Sequence, residues 1–176
     1  ALKGVHWLNK NTVKGSKRNI EAHYDLGNRL FETFLDPTLM YSSALFASDQ
    51  HDLHQASKEK LDHICRKLHL TENDHVLEIG TGWGGFAVHA AKHYGCRVTT
   101  TTISEEQFAH ATELVEKEGL SDRVTVLKQD YRELTGHYDK LVSIEMIEAV
   151  GHHYLDTYIN TLSDRLKPNG LALIQA

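Results

Sequence analysis

The chain has 176 residues, 40% hydrophobic and 24% charged, with 19 Lys and Arg against 24 Asp and Glu for a net charge of −5. That length and balance suit one ordinary soluble domain with a real core, and they exclude a disordered tail and a nucleic-acid partner held by overall positive charge. Two cysteines (Cys65 and Cys96) make no disulfide framework, no apolar signal core opens the chain, and the longest late apolar run is broken by Glu145 and Glu148; a cytoplasmic protein without a membrane span is expected.

Residues 1–18 carry Lys3, Lys10, Lys14, Lys17 and Arg18 with no acid, and read as a solvated basic arm able to sit near lipid phosphates. From Ser16 the spacing of Ile20, Tyr24, Leu30, Phe31 and Phe34 predicts helix up to Pro37. Residues 37–46 are too short and Ser-rich for another and read as an ordered loop. A helix over 55–70 follows, apolar at Leu61, Ile64, Cys65 and Leu68. The texture then changes to strands over 75–79, 97–102, 123–127, 141–145 and 171–175. Helices are predicted between them over 86–94, 105–118 and 154–166, with 167–170 a turn. Strands alternating with helices imply right-handed crossovers and a doubly wound, mostly parallel α/β sheet, whose ligands bind beyond the carboxyl ends of the strands. Residues 19–70 form a helical segment before a core over 71–176. That core stops in an apolar strand, so the chain reads as an incomplete piece.

The run Glu78-Ile79-Gly80-Thr81-Gly82-Trp83-Gly84-Gly85 lies between a strand and a helix. Its glycines are spaced wrongly for a dinucleotide fingerprint, and no Lys-Ser/Thr pair follows as in a triphosphate loop. An acid before G-x-G-x-G favours S-adenosylmethionine instead. Where a ribose-binding acid is usual at the end of the second strand, this chain has Thr99 to Thr102, Ile103 and Ser104, so hydroxyls or Gln107 stand in for it, unless the threonines are only strand formers. After the third strand, Asp130 and Tyr131 suit an adenine amine and face, with a simple turn role for Asp130 equally open. His89 and His93 have the spacing of a metal pair but no third ligand, so a surface helix face is expected; His152 and His153 read as solvent-facing.

With these pieces in place, the chain from about Asn19 to Ala176 resembles the cyclopropane-fatty-acyl-phospholipid and mycolic acid cyclopropane synthases. The resemblance is carried by IEAHYD at 20–25, LDPTLMYSSALF at 35–46, VLEIGTGWGG at 76–85, TTISEEQ at 101–107, QDYREL at 129–134 and SIEMIEAVGHHY at 143–154. It implies a Rossmann-like class I methyltransferase fold, with residues 19–70 covering the cofactor. It also implies transfer of a methyl group from S-adenosylmethionine to the cis double bond of an unsaturated phospholipid acyl chain, at the inner membrane surface. A carbocation then loses a proton, to a bound bicarbonate, and closes to a cyclopropane. Tyr41, Ser42, Gly80, Gly82, Thr102, Ile103, Gln107 and Tyr131 fall on cofactor positions. Ser43, Ile144 and Glu148 fall on the anion site, and a homodimer is a further expectation.

The chain departs from the family pattern at three places. Thr81 and Ser43 stand where Cys is frequent, and Gln175 stands where the strand often carries His. Gln donates a hydrogen bond but cannot relay a proton near neutral pH. Methyl- or methylene-branched acyl products, a small-molecule N-methyltransferase and a non-catalytic remnant are therefore competing readings.

Overall fold

Capping sets where the helix before the sheet begins. In this computed structural model, which describes residue 31 and residues 33–176, that helix (α1) spans Leu53–Lys67. Asp52 accepts from Gln55 N–H at 2.7 Å, and the Gln55 side chain accepts from Asp52 N–H at 3.0 Å, closing a capping box. The helix thus starts two residues earlier than expected. It stops at Lys67 rather than 70 because Leu68 caps it and His69 takes a left-handed φ of 51°. Phe31, Thr33 and Phe34 belong to the end of a preceding helix, closed by Leu35 N–H to Phe31 C=O. The basic arm, the IEAHYD motif and Tyr24 lie outside the described residues. Residues 37–46 form no regular element, as expected, and are held by Asp36, which accepts from Thr38 and lies 2.9 Å from His54 Nδ1.

The sheet follows as β1 (His75–Ile79), β2 (Arg97–Thr102), β3 (Val124–Lys128), β4 (Tyr138–Ile144) and β5 (Leu166–Gln175). All four pairings are parallel and the order is β3-β2-β1-β4-β5. Helix α2 (Gly85–Tyr94) connects β1 to β2, α3 (Glu105–Lys117) connects β2 to β3, and the short α4 (Ile147–Val150) with α5 (Leu155–Arg165) connects β4 to β5, while β3 runs to β4 through a 3₁₀ turn. Alternate strand residues face opposite sides, so one sheet face carries Val76, Val98, Val124 and Val142 into a core with α1 and α2. Leu77, Ile79 and Leu141 carry the other face into a core with Tyr158 and Leu162 of α5. This is the doubly wound parallel sheet read from the sequence.

Two local expectations change. Residues 167–170 are not a plain turn before the last strand: Tyr138 pairs with Leu166 and Lys140 already pairs with Leu171, so four residues are looped out against Asp139. Pro168 lacks a ladder N–H and Asn169 has φ 67°, which is why the ladder opens there. His89 is buried rather than on a surface face, with Nε2 2.9 Å from Asp62 Oδ1; His93 is exposed. His152 and His153 are exposed as expected, and among the described residues no metal-holding cluster of His, Cys, Asp or Glu exists.

Candidate active site

Because β2 lies on one side of β1 and β4 on the other, successive crossovers leave in opposite directions at the β1/β4 boundary, and a crevice opens beyond the strand ends there. A cavity of about 660 Å³ occupies it. Its floor is the glycine loop. Gly80 and Gly82 have φ of 98° and 53°, conformations that side-chain-bearing residues rarely adopt. The N–H groups of Gly80 and Thr81 both donate to Thr101 C=O, at 3.1 and 3.0 Å, which ties the loop to the end of β2. Gly85 is needed for another reason: a Cβ there would sit 2.8 Å from Thr38 C=O and 2.9 Å from Met40 Sδ. The loop over 38–42 can therefore lie down on the start of α2 and roof the cavity.

Beneath the floor Glu78 is fully buried, and its carboxyl is pushed up to about 8 by loss of solvent, only partly offset by Thr100. Glu78, Thr100 and Thr81 form one chain of hydrogen bonds, with Thr100 Oγ1 2.6 Å from Glu78 Oε2 and 2.7 Å from Thr81 Oγ1. The neighbouring threonines also have partners: Thr99 Oγ1 lies 2.8 Å from His75 Nε2, and Thr101 donates to Gln129 C=O. They are more than strand formers.

The side walls hold the residues singled out from the sequence. Thr102 donates to Gln107 Oε1 at 2.8 Å beside Ile103, leaving the Gln107 amide N–H groups without a protein acceptor among the described residues. On the facing wall Tyr131 lines the cavity next to Asp130, which caps a short 3₁₀ turn over Tyr131–Glu133 and takes Arg132 Nε and Nη2 at 2.8 and 2.6 Å. Asp130 thus fills the turn role and the lining role together. Tyr41 and Ser42 close the roof, with Tyr41 edge-on to the buried Phe31 ring at 5.1 Å. Ile144 and Glu148 line the end beyond β4, Glu148 being exposed on α4.

Ser43 and Gln175 do not line the cavity but meet just behind Glu145, which does. Ser43 N–H and O–H donate to Glu145 Oε1 at 2.8 and 2.9 Å, and Gln175 Nε2 donates to the same oxygen at 2.8 Å. Glu145 N–H in turn donates to Gln175 C=O at 2.8 Å, holding the residue at φ 46°. Burial opposes ionisation of Glu145, but the Ser43 and Gln175 hydrogen bonds and the Lys60 charge outweigh it and lower its pKa. This carboxylate was not among the residues expected. The signal that identifies it is a Glu directly after a buried strand at the switch point. It changes what the site offers, because two of the groups expected to take bicarbonate, Ser43 and Gln175, are engaged by a protein carboxylate, while Ile144 and Glu148 face the cavity. A second anion on those two groups would be repelled by that carboxylate.

Elsewhere the cavity suits S-adenosylmethionine. Its floor lets a ligand touch main chain, its walls offer hydroxyl, amide and aromatic groups, and the Glu145 end is negative where a sulfonium would benefit.

Comparison with known proteins agrees. The family described as mycolic acid cyclopropane synthetase matches residues 11–176. The cyclopropane-fatty-acyl-phospholipid synthase of Escherichia coli K12 is 45% identical over 154 residues, 88% of this chain and 39% of that protein. A probable fatty acid methyltransferase of Pseudomonas putida is 40% identical over 156 residues, 88% of this chain and 40% of that protein. The mycolic acid cyclopropane synthase CmaA1, solved with SAH and CTAB, superposes with a TM-score of 0.86 at 32% identity, over 90% of this chain and 55% of that one. The chain thus spans about 40% of the length of the curated relatives it matches. On the sheet order, the glycine loop and a match over nearly all its residues, this chain belongs to the mycolic acid cyclopropane synthetase family and has the class I methyltransferase fold.

Proposed function

We propose that the full-length protein transfers a methyl group from S-adenosylmethionine to the cis double bond of an unsaturated phospholipid acyl chain, giving a cyclopropane fatty acid. The observation that carries this is the cavity at the β1/β4 switch point, where a glycine floor, a hydroxyl-and-amide wall and the carboxylates of Glu145 and Glu148 converge. When bound there, S-adenosylmethionine supplies an electrophilic methyl group. Gly80 and Gly82 would let the cofactor lie against main chain, Thr102 and Gln107 would hold its ribose hydroxyls beside Ile103, and Tyr131 with Asp130 would take its base. Tyr41 and Ser42 shut its methionine end away from water.

An alkene is a weak nucleophile, so orientation and exclusion of water carry most of the catalysis. The two π electrons of the double bond would form the new C–C bond as the methyl–sulfur bond breaks and its electron pair stays on sulfur, giving S-adenosylhomocysteine and a carbocation on the neighbouring carbon. Glu145, fixed by Ser43 and Gln175, and Glu148 on α4 stabilise that cation electrostatically. The added methyl then gives up a proton to the Glu148 carboxylate at this end of the cavity, and the C–H electron pair closes the ring. Exposed Phe34, Tyr41 and Phe46 near the roof support contact with a lipid at a membrane surface, and among the described residues no helix is long and apolar enough to cross one.

One observation favours a second reading. Gln175 cannot relay a proton and is held with Ser43 by Glu145, so a cavity carboxylate that faces a neighbouring chain carbon rather than the added methyl would take the proton from there and yield a branched acyl chain that keeps a double bond. A saturated methyl branch requires a separate hydride donor. The test is proton NMR of acyl chains after incubating the full-length protein with S-adenosylmethionine and vesicles of cis-unsaturated phospholipid. Upfield cyclopropane protons are expected, new olefinic or methylene signals establish the branched product, and unchanged lipid overturns both.

A further inference from the structure

Helix α1 turns a stripe of Ala56, Lys60, Leu61, Ile64 and Cys65 inward, and a lysine in that stripe is out of place. Lys60 is only 5% exposed, and burying an ammonium among apolar side chains is costly unless it is partnered. Its Nζ donates to Ser42 Oγ, its one hydrogen bond among the described residues. The charged groups acting on it are Glu145, from beyond β4, and Asp36, from the loop before α1; none comes from its own helix or from α2. The carboxylates are farther off than an ion pair. A methionine would fill the same space without the penalty, so the buried charge is the feature that sets this position apart. It lies behind the segment 41–43, which contacts Glu145 through Ser43 on its other side and lines the cavity through Tyr41 and Ser42.

We propose that Lys60 is a positioning residue for the methyl-donor site: its ammonium holds Ser42 from behind and offsets the charge of Glu145, so that segment 41–43 keeps its place over the cavity only while Lys60 is protonated. The inference rests on the cofactor reading given above. It has a pH signature, because burial pushes the Lys60 pKa down to about 8, with Glu145 and Asp36 pulling the other way. As pH rises through that value the hydrogen bond to Ser42 loses its charge and the roof loosens.

The test is calorimetric binding of S-adenosylhomocysteine to the full-length protein from pH 6.5 to 9.5, with lipid turnover measured in parallel. Wild-type affinity is expected to fall above pH 8. Lys60→Met should bind roughly tenfold more weakly at pH 7, the worth of a charged hydrogen bond, and with no such fall. Lys60→Arg, charged throughout, should keep the affinity and lose the pH dependence. Glu145→Gln should move the midpoint to lower pH, since Glu145 holds the lysine proton on; the arginine and glutamine variants keep the test decisive if the methionine variant does not fold. Wild-type affinity flat across this range, or a Met variant with the wild-type pH profile, overturns the proposal. Correct binding behaviour without lipid product removes the acyl-chain substrate and leaves Lys60 in its role. Lipid product with pH-independent binding does the reverse, and no binding at any pH overturns both.

Discussion

At the scale of single residues the site divides into carboxylates with different tasks. Glu78 is raised by burial, so the folded protein holds a proton between the ordinary carboxylate range and about 8 that the unfolded chain has lost. Stability therefore falls as pH rises across that interval. Glu78→Gln should flatten that decline, as measured by urea unfolding at pH 5, 6, 7 and 8; an unchanged slope means Glu78 titrates normally. Glu148 is exposed and lines the cavity, so Glu148→Gln should leave S-adenosylhomocysteine affinity within a few fold while cutting turnover about a hundredfold. Equal losses of both refute its assigned part. The cavity-lining residues were legible because family motifs name them one by one. Glu145 and Lys60 were not: Glu145 reads only as the last residue of the strand over 141–145, and no motif singles out Lys60 within the helix over 55–70. Only the fold reveals that Ser43 and Gln175, 132 residues apart, meet on one oxygen of the first and that the second is buried.

At the scale of elements, periodicity and strand composition foretold every strand of the sheet, because buried parallel strands read as short β-branched runs. Ends were less legible, since they depend on caps and partners. The D-x-x-Q box that starts α1 was present in the sequence but unused, and Asp52→Ala should cost about 1 kcal/mol in thermal or urea unfolding. The loop-out at 167–170 depends on register with β4, which no local pattern encodes. The roof makes a sharper prediction. Gly85→Ala would drive a methyl group into Thr38 C=O and Met40, so segment 38–42 must lift. Affinity for S-adenosylhomocysteine should drop about tenfold with a stability loss of about 1–3 kcal/mol typical of overpacking; unchanged affinity separates the roof from the site.

At the scale of the whole molecule, one sheet holds two cores apart and leaves a crevice at its carboxyl edge, where residues from 39 to 150 converge. Adding S-adenosylhomocysteine at a hundred times its Kd should stabilise the full-length protein by about 2.7 kcal/mol. In hydrogen exchange, protection should concentrate in residues 80–85, 102–107, 129–132 and 144–150, leaving the opposite, amino-terminal ends of the strands unaffected. Protection spread evenly over the sheet, or centred on the looped-out 167–170, contradicts this siting. The resemblance made this arrangement foreseeable as a fold, whereas the filling of the anion donors by Glu145 appears only once β4 and β5 are laid side by side.

The chain of hydroxyls beneath the glycine floor has an orientation as well as a position. A hydroxyl between two oxygens gives its one hydrogen to one of them, so Thr100 passes on whichever sense Glu78 imposes. While Glu78 is ionised, Thr100 and then Thr81 turn their hydrogens downward, and the cavity sees the bare lone pairs of Thr81. Once Glu78 takes up a proton the sequence runs the other way, and Thr81 turns its hydrogen outward. A single buried proton is thereby expressed at the floor as a reversal of polarity, acceptor to donor, without movement of any heavy atom. A cationic ligand favours the first setting, so its arrival and the departure of that proton are two sides of one equilibrium.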